Sequence, residues 1–113
     1  MSKFDEAIEK YTAEAKRLKL NIPNDFLIAV TRGLGPSIYN VDAETVASSD
    51  PSELGTVKKN FLIKKLGLTD GPELDKAIDE VIEQLGRSNR NKYRALVYAL
   101  LAIKFNKQSV YDK

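Results

Sequence analysis

The sequence predicts an all-α fold, a compact single-domain bundle of five longer helices and one short helix. Three observations carry this expectation. Apolar residues recur at helical spacing through most of the 113 residues. Capping residues, glycines and prolines punctuate those segments, leaving connections of about 2–8 residues, as in small helical domains. No stretch alternates apolar and polar residues between hairpin-type turn pairs, so no strand is expected.

Ser2 to Leu20 reads as an amphipathic helix. Ser2 stands at the cap, and Phe4, Ala7, Ile8, Tyr11, Ala15 and Leu18 share one face. Glu6 and Lys10 are spaced to pair along the opposite face. Pro23 breaks the chain, because it disfavours helix at Ile22. A second helix, Asn24 to Arg32, carries Phe26, Leu27 and Val30 and stops at Gly33. A short helix from Asp42 to Ala47 follows, with Asp42 as its cap.

Asp50 to Leu68 is the best-punctuated segment. Asp50 is placed as N-cap, Pro51 as first helical residue, Glu53 to close a capping box, and Gly67 as terminator. At about 100° per residue, Leu54, Val57 and Phe61 make one stripe. Leu62 and Leu66 begin another, and Ile63 lies further round. An α-helix apolar on several sides packs on several sides, so 51–66 is expected to be an inner helix. The helix at 72–85 has one clean face: Leu74, Ala77, Ile78, Val81, Ile82 and Leu85. The last helix, beginning near Ser88 and spanning about 89–105, is apolar over a broad arc and is the second inner helix. Asn106 ends it. Residues 1–113 thus form one domain, with 107–113 a tail that docks or frays.

Composition narrows function. There is no cysteine and no histidine. Disulfides, thiolate or imidazole metal sites, a Ser-His-Asp triad and a Cys-His pair are therefore excluded. A cysteine-free chain suits a reducing cytoplasm. The first twenty residues are charged and have no signal-peptide core. The longest apolar run, Ala95 to Ile103, falls well short of the roughly 20 residues of a membrane span. Net charge is +2 but uneven: residues 1–56 hold 6 basic and 9 acidic residues, residues 57–113 hold 12 and 7.

Three stretches carry a further resemblance: Val30 to Asn40 (VTRGLGPSIYN), Val57 to Leu68 (VKKNFLIKKLGL) and Ser88 to Ala95 (SNRNKYRA). With the opening Met1 to Asp5, they are similar to the small bacterial domain-of-unknown-function 2853 family over essentially the whole chain. That resemblance implies a short single-domain bacterial protein with no assigned activity. It supplies no catalytic residue and implies no cofactor.

Two segments are candidates for chemistry. The first holds Arg87, Ser88, Asn89, Arg90, Lys92 and Arg94, with four cations crowding what reads as a helix N-terminus. Cations are disfavoured there by roughly 0.3–1 kcal/mol each, so a negative partner is expected. The favoured partner is internal: the acidic ridge Asp75, Asp79 and Glu83 on the preceding helix. The alternative is an external anion or nucleic acid. The second segment is the loop with Gly33, Gly35, Ser37, Tyr39 and Asn40. It reads as a rigid corner whose Ile38, with Tyr39, plugs the core. Its functional alternative is ligand approach to the glycine backbone.

Weaker signals come from Lys58, Lys59, Lys64 and Lys65; Lys58 and Lys65 fall between the two apolar stripes, so their stems snorkel along apolar neighbours. The ridge Asp75, Asp79, Glu83 lacks EF-hand spacing, so no metal site is assigned. The expectation is a non-enzymatic cytoplasmic interaction or structural module with no membrane contact. Its partner would be a protein, with nucleic acid or a small anion as alternatives, and an enzyme working through the 33–40 loop ranks third.

Overall fold

A computed structural model describes residues 2–47 and 49–111, with backbone only for Ser37, Val41 and Asp42. Helix α1 (Lys3–Arg17) begins where Ser2 Oγ accepts from the Asp5 N–H at 3.1 Å. It buries Ala7, Tyr11 and Ala15, the expected face, together with Glu14. Helix α2 (Asn24–Leu34) buries Leu27, Val30 and Thr31. It runs past Gly33 and breaks at Gly35, whose φ of 64° lies in the left-handed region that favours glycine. A 3₁₀ turn (Gly35–Tyr39) leads to the short helix α3 (Val41–Glu44). The Asn40 carbonyl opens α3 by accepting from the Ala43 and Glu44 N–H groups. The cap expected of Asp42 rests on a side chain outside those described.

Helix α4 (Pro51–Thr56) starts as its sequence dictates, with Asp50 Oδ1 accepting from the Ser52 N–H at 2.9 Å. The capping box is not completed. Glu53 turns instead to Arg94, and the Asp50 N–H donates to the Ala47 carbonyl. Residues Val57–Ile63 then continue as a π-helix, whose i→i+5 bonding runs on past its end: the Lys64 N–H reaches the Lys59 carbonyl, and the Leu66 N–H the Phe61 carbonyl.

That winding corrects the expectation of an inner helix at 51–66. Bonding from i to i+5 adds close to one residue to the 3.6-residue turn, so residues four and five apart share a face. Val57, Phe61, Leu62 and Leu66 are all buried, while Lys59, Asn60 and Lys64 face water. The two apolar stripes of an α-helical reading thus become one. The segment lies at the rim, flat against the core. Gly67, at φ 73°, then reverses the chain.

Helix α5 (Pro72–Leu85) buries the six residues of its apolar face. Helix α6 (Arg94–Lys104) is the true centre. It buries seven of eleven residues and packs against α1, α2, α3 and α5. Asn106 follows at φ 57° and ends it, as expected. A final 3₁₀ turn (Gln108–Tyr111) lies against α2 and α6. There the Tyr111 ring meets Phe26 edge-on at 5.6 Å.

The radius of gyration, 13.0 Å, matches the roughly 13 Å of a single compact domain of this length. Among the described residues the only β pairing is an isolated bridge between Thr45 and Tyr93. No helix among them is long and apolar enough to cross a membrane.

Candidate functional site

The 87–94 segment is mostly loop. Gly86, at φ 96°, closes α5, and α6 begins only at Arg94. The expected helix start near Ser88 fails because local side chains claim the backbone. Asn89 Oδ1 accepts from the Asn91 N–H at 2.9 Å. Its Nδ2 donates to the Leu85 carbonyl at 3.0 Å and to Glu14 Oε2 at 2.9 Å. Lys92 is 6% exposed, and its ammonium donates to the carbonyls of Arg87 and Asn89. Burial holds its pKa below the ordinary lysine value. The Val46 N–H donates to the Lys92 carbonyl at 2.8 Å, tying the loop to the chain after α3.

The cations of this segment turn largely to their own chain. Arg87 donates through Nε to Glu83 at 2.5 Å and through Nη2 to Asp79 at 3.1 Å. The third member of the ridge, Asp75, pairs with Lys58 instead, at 3.0 Å. Arg94 bonds the Glu53 carboxylate, the Ala43 carbonyl (2.7 Å) and the Tyr98 hydroxyl (3.2 Å). The Tyr98 ring stacks on Phe61, 4.0 Å away and 14° from parallel. Only Arg94 sits at the true start of α6, and Glu53 supplies the negative charge that position calls for. Arg90 is exposed and has no hydrogen bond or ion pair among the described residues. Ser88 is also exposed.

The 33–40 loop divides. Ile38 is buried and plugs the core, whereas Tyr39 is 49% exposed and does not. Gly33 lies inside α2 and makes room for the tail. A Cβ there would stand 3.1 Å from Tyr111 Cε1. The Ser37 side chain lies outside the described residues.

Tyr39 lines a polar pocket of about 340 Å³ with Lys3, Glu6, Lys10 and Glu44. Beneath it, Glu44 Oε2 accepts from the Tyr11 hydroxyl at 2.8 Å and pairs with Lys10 Nζ at 2.5 Å. The Tyr11 ring lies 4.8 Å from that of Tyr93, and Lys10 Nζ stands 5.6 and 5.3 Å from the two centroids. Burial, then the Glu44 carboxylate, push the Tyr11 phenol far above its ordinary pKa, so it is a fixed hydrogen-bond donor.

The fold therefore brings the exposed end of the loop, Tyr39, and the end of the basic segment, Tyr93, to one polar cluster centred on Glu44. Lys10, Tyr11 and Glu44 were not legible as part of a site. Helical spacing directed Lys10 to Glu6 and Tyr11 to the core, and nothing in sequence marks an ion pair across 34 residues. Among the described residues no group of three or more His, Cys, Asp or Glu side chains could hold a metal ion.

Helical packing around α6, with charged side chains folded back onto their own chain, defines a small all-helical domain. The chain belongs to the family described as protein of unknown function (DUF2853), whose model matches residues 10–109. The match takes in Tyr11, Glu44, Glu53 and the whole 87–94 segment. A comparison with curated proteins gives no match.

Proposed function

We propose that this chain is a non-enzymatic interaction or structural module, one domain over residues 1–113, working in a reducing bacterial cytoplasm. One observation supports it most: the groups best suited to chemistry are engaged with each other. Lys10 and Tyr11 share Glu44, Arg94 holds Glu53, and Lys92 is buried on backbone carbonyls. A nucleophile or general base needs a free, activated atom facing substrate, and Tyr11 is held as the opposite. The cysteine-free sequence is in keeping with a reducing compartment.

The test is a broad metabolite turnover screen on the full chain, with a Tyr11→Phe, Tyr39→Phe variant beside it. The expected result is no turnover distinguishing the two proteins. Reproducible turnover by the native chain, lost in the variant, would replace the module with an enzyme acting at the Glu44 cluster.

A further inference from the structure

Three depressions with apolar lining adjoin one another along α2 and the end of α6. One of about 460 Å³ lies between the start of α2, the end of α6 and the closing 3₁₀ turn, over Pro23, Phe26 and Ile103. It shares Ala29 and Tyr111 with a second of about 500 Å³, which reaches Arg32 and Lys65. It shares Asn21 and Ile103 with a third of about 210 Å³, which reaches Leu100 and Lys104. Together they make one groove that follows α2 and crosses the end of α6.

We infer that this groove receives a short, extended, acidic and apolar peptide segment of another protein. The inference rests on the interaction-module reading and adds the partner's chemistry. Charge selects the acidic partner. Among the described residues the walls carry Arg32, Lys65 and Lys104 against Asp25 alone. Arg32 stands over the Phe4 ring and Lys65 over the Tyr111 ring, and neither has a carboxylate partner among the described residues. The Lys104–Glu80 pair, at 3.2 Å, is half-exposed and screened, so it competes weakly with an incoming carboxylate.

The central amides select an extended partner. Asn21 and Gln108 both line the middle depression. Neither side chain is hydrogen-bonded among the described residues. Each primary amide offers donors and an acceptor, matching the unspent N–H and C=O of an extended backbone. A helix would arrive with those groups already paired. The α2 wall from Pro23 to Gly33 runs about 15 Å, the length of four or five extended residues. Alternate side chains of such a segment would face the Phe26–Ile103 floor, with acidic ones between them.

The test uses two fluorescein-labelled probes, Gly-Asp-Leu-Asp-Leu-Asp-Gly and the same peptide with Lys for Asp, titrated by anisotropy against the full chain. The acidic probe should bind saturably and at least about tenfold more tightly than the basic one. The Asn21→Ala, Gln108→Ala variant removes no side-chain bond among the described residues, so its thermal midpoint should hold while affinity falls about tenfold. Arg32→Glu, Lys65→Glu should invert the preference between probes. No saturable binding, equal binding of both probes, or full affinity in the amide variant would overturn the inference. So would tighter binding of a labelled single-stranded oligonucleotide that is lost in the Arg32→Glu, Lys65→Glu variant. These failures leave the module reading standing, since that reading falls to turnover at the Glu44 cluster.

Discussion

Arg94, the first residue of α6, donates to Glu53 of α4 across 41 residues of chain, with side chains only 12% and 25% exposed. The same guanidinium holds the Ala43 carbonyl and the Tyr98 hydroxyl. One side chain thus joins α3, α4 and α6. Removing it strands a carboxylate and a carbonyl together. Arg94→Ala should lower unfolding free energy by about 2–4 kcal/mol, with Arg94→Lys rescuing little, because an ammonium cannot reach three acceptors from one plane. A double-mutant cycle with Glu53→Ala, read by urea denaturation, should give a coupling above about 1 kcal/mol. Additive effects would mean the pair is decorative.

Phe61 sits at the seam between the π-helical segment and α6, stacked on Tyr98 and 2% exposed. Phe61→Ala should cost about 3–5 kcal/mol. The winding itself has a separate test. Deleting the exposed Asn60 removes the extra residue that merges the Val57 and Phe61 stripe with the Leu62 and Leu66 stripe on one face. The deletion should therefore drop the thermal midpoint far more than Asn60→Ala does. Equal, small effects would show that the wide turn contributes nothing to packing.

Glu14 is buried, accepting from Arg17 at 2.9 and 2.6 Å and from Asn89. The Arg17 bonds first, and then Asn89, hold its pKa below the ordinary carboxylate value against the opposing effect of burial. A depressed folded-state pKa contributes stability above the unfolded value of about 4.3 and loses it as pH falls through the folded one. Glu14→Gln should therefore lower stability at neutral pH, with the gap to the native chain narrowing below about pH 4. A gap that stays constant from pH 7 to pH 3 would dismiss the role of ionised Glu14.

Tyr111 is raised far above the ordinary phenol value by burial, and Tyr93 is raised by burial as well. With Tyr11 this leaves three of five tyrosines ionising late. A raised folded-state pKa contributes stability below the unfolded value of about 10 and loses it as pH climbs towards the folded one. Stability should decline above about pH 10, and Tyr111→Phe should make that decline shallower. If the variant's alkaline limb overlays the native one, the tail is not docked in solution.

The helices of this chain are legible wherever one periodic face meets one cap. The α5 face and the stops at Gly67, Gly86 and Asn106 follow from residue type alone. The π-helical segment was not legible, because its apolar spacing of four, one and four residues reads as two α-helical stripes. Nor was the loop at 86–93, where Asn89 and a buried Lys92 outcompete helix for the backbone. Of the 87–94 candidates, Arg87 meets two members of the acidic ridge, Asp79 and Glu83, while the third, Asp75, goes to Lys58. The Arg94–Glu53 and Lys10–Glu44 pairs join elements distant in sequence, and only the packed chain reveals them.

Arg87, Lys92 and Arg94 serve the fold, leaving Arg90 as the one cation of 87–94 without a partner among the described residues. Anisotropy titration of a labelled double-stranded DNA 20-mer at about 50 and 200 mM salt tests that assignment most directly, using the native chain and Arg87→Ala, Arg90→Ala. The expected result is no saturable binding at the higher salt and no difference between the two proteins. Tight binding that weakens steeply with salt and vanishes in the variant would contradict it, because phosphates would then be claiming charges here assigned to Asp79 and Glu83.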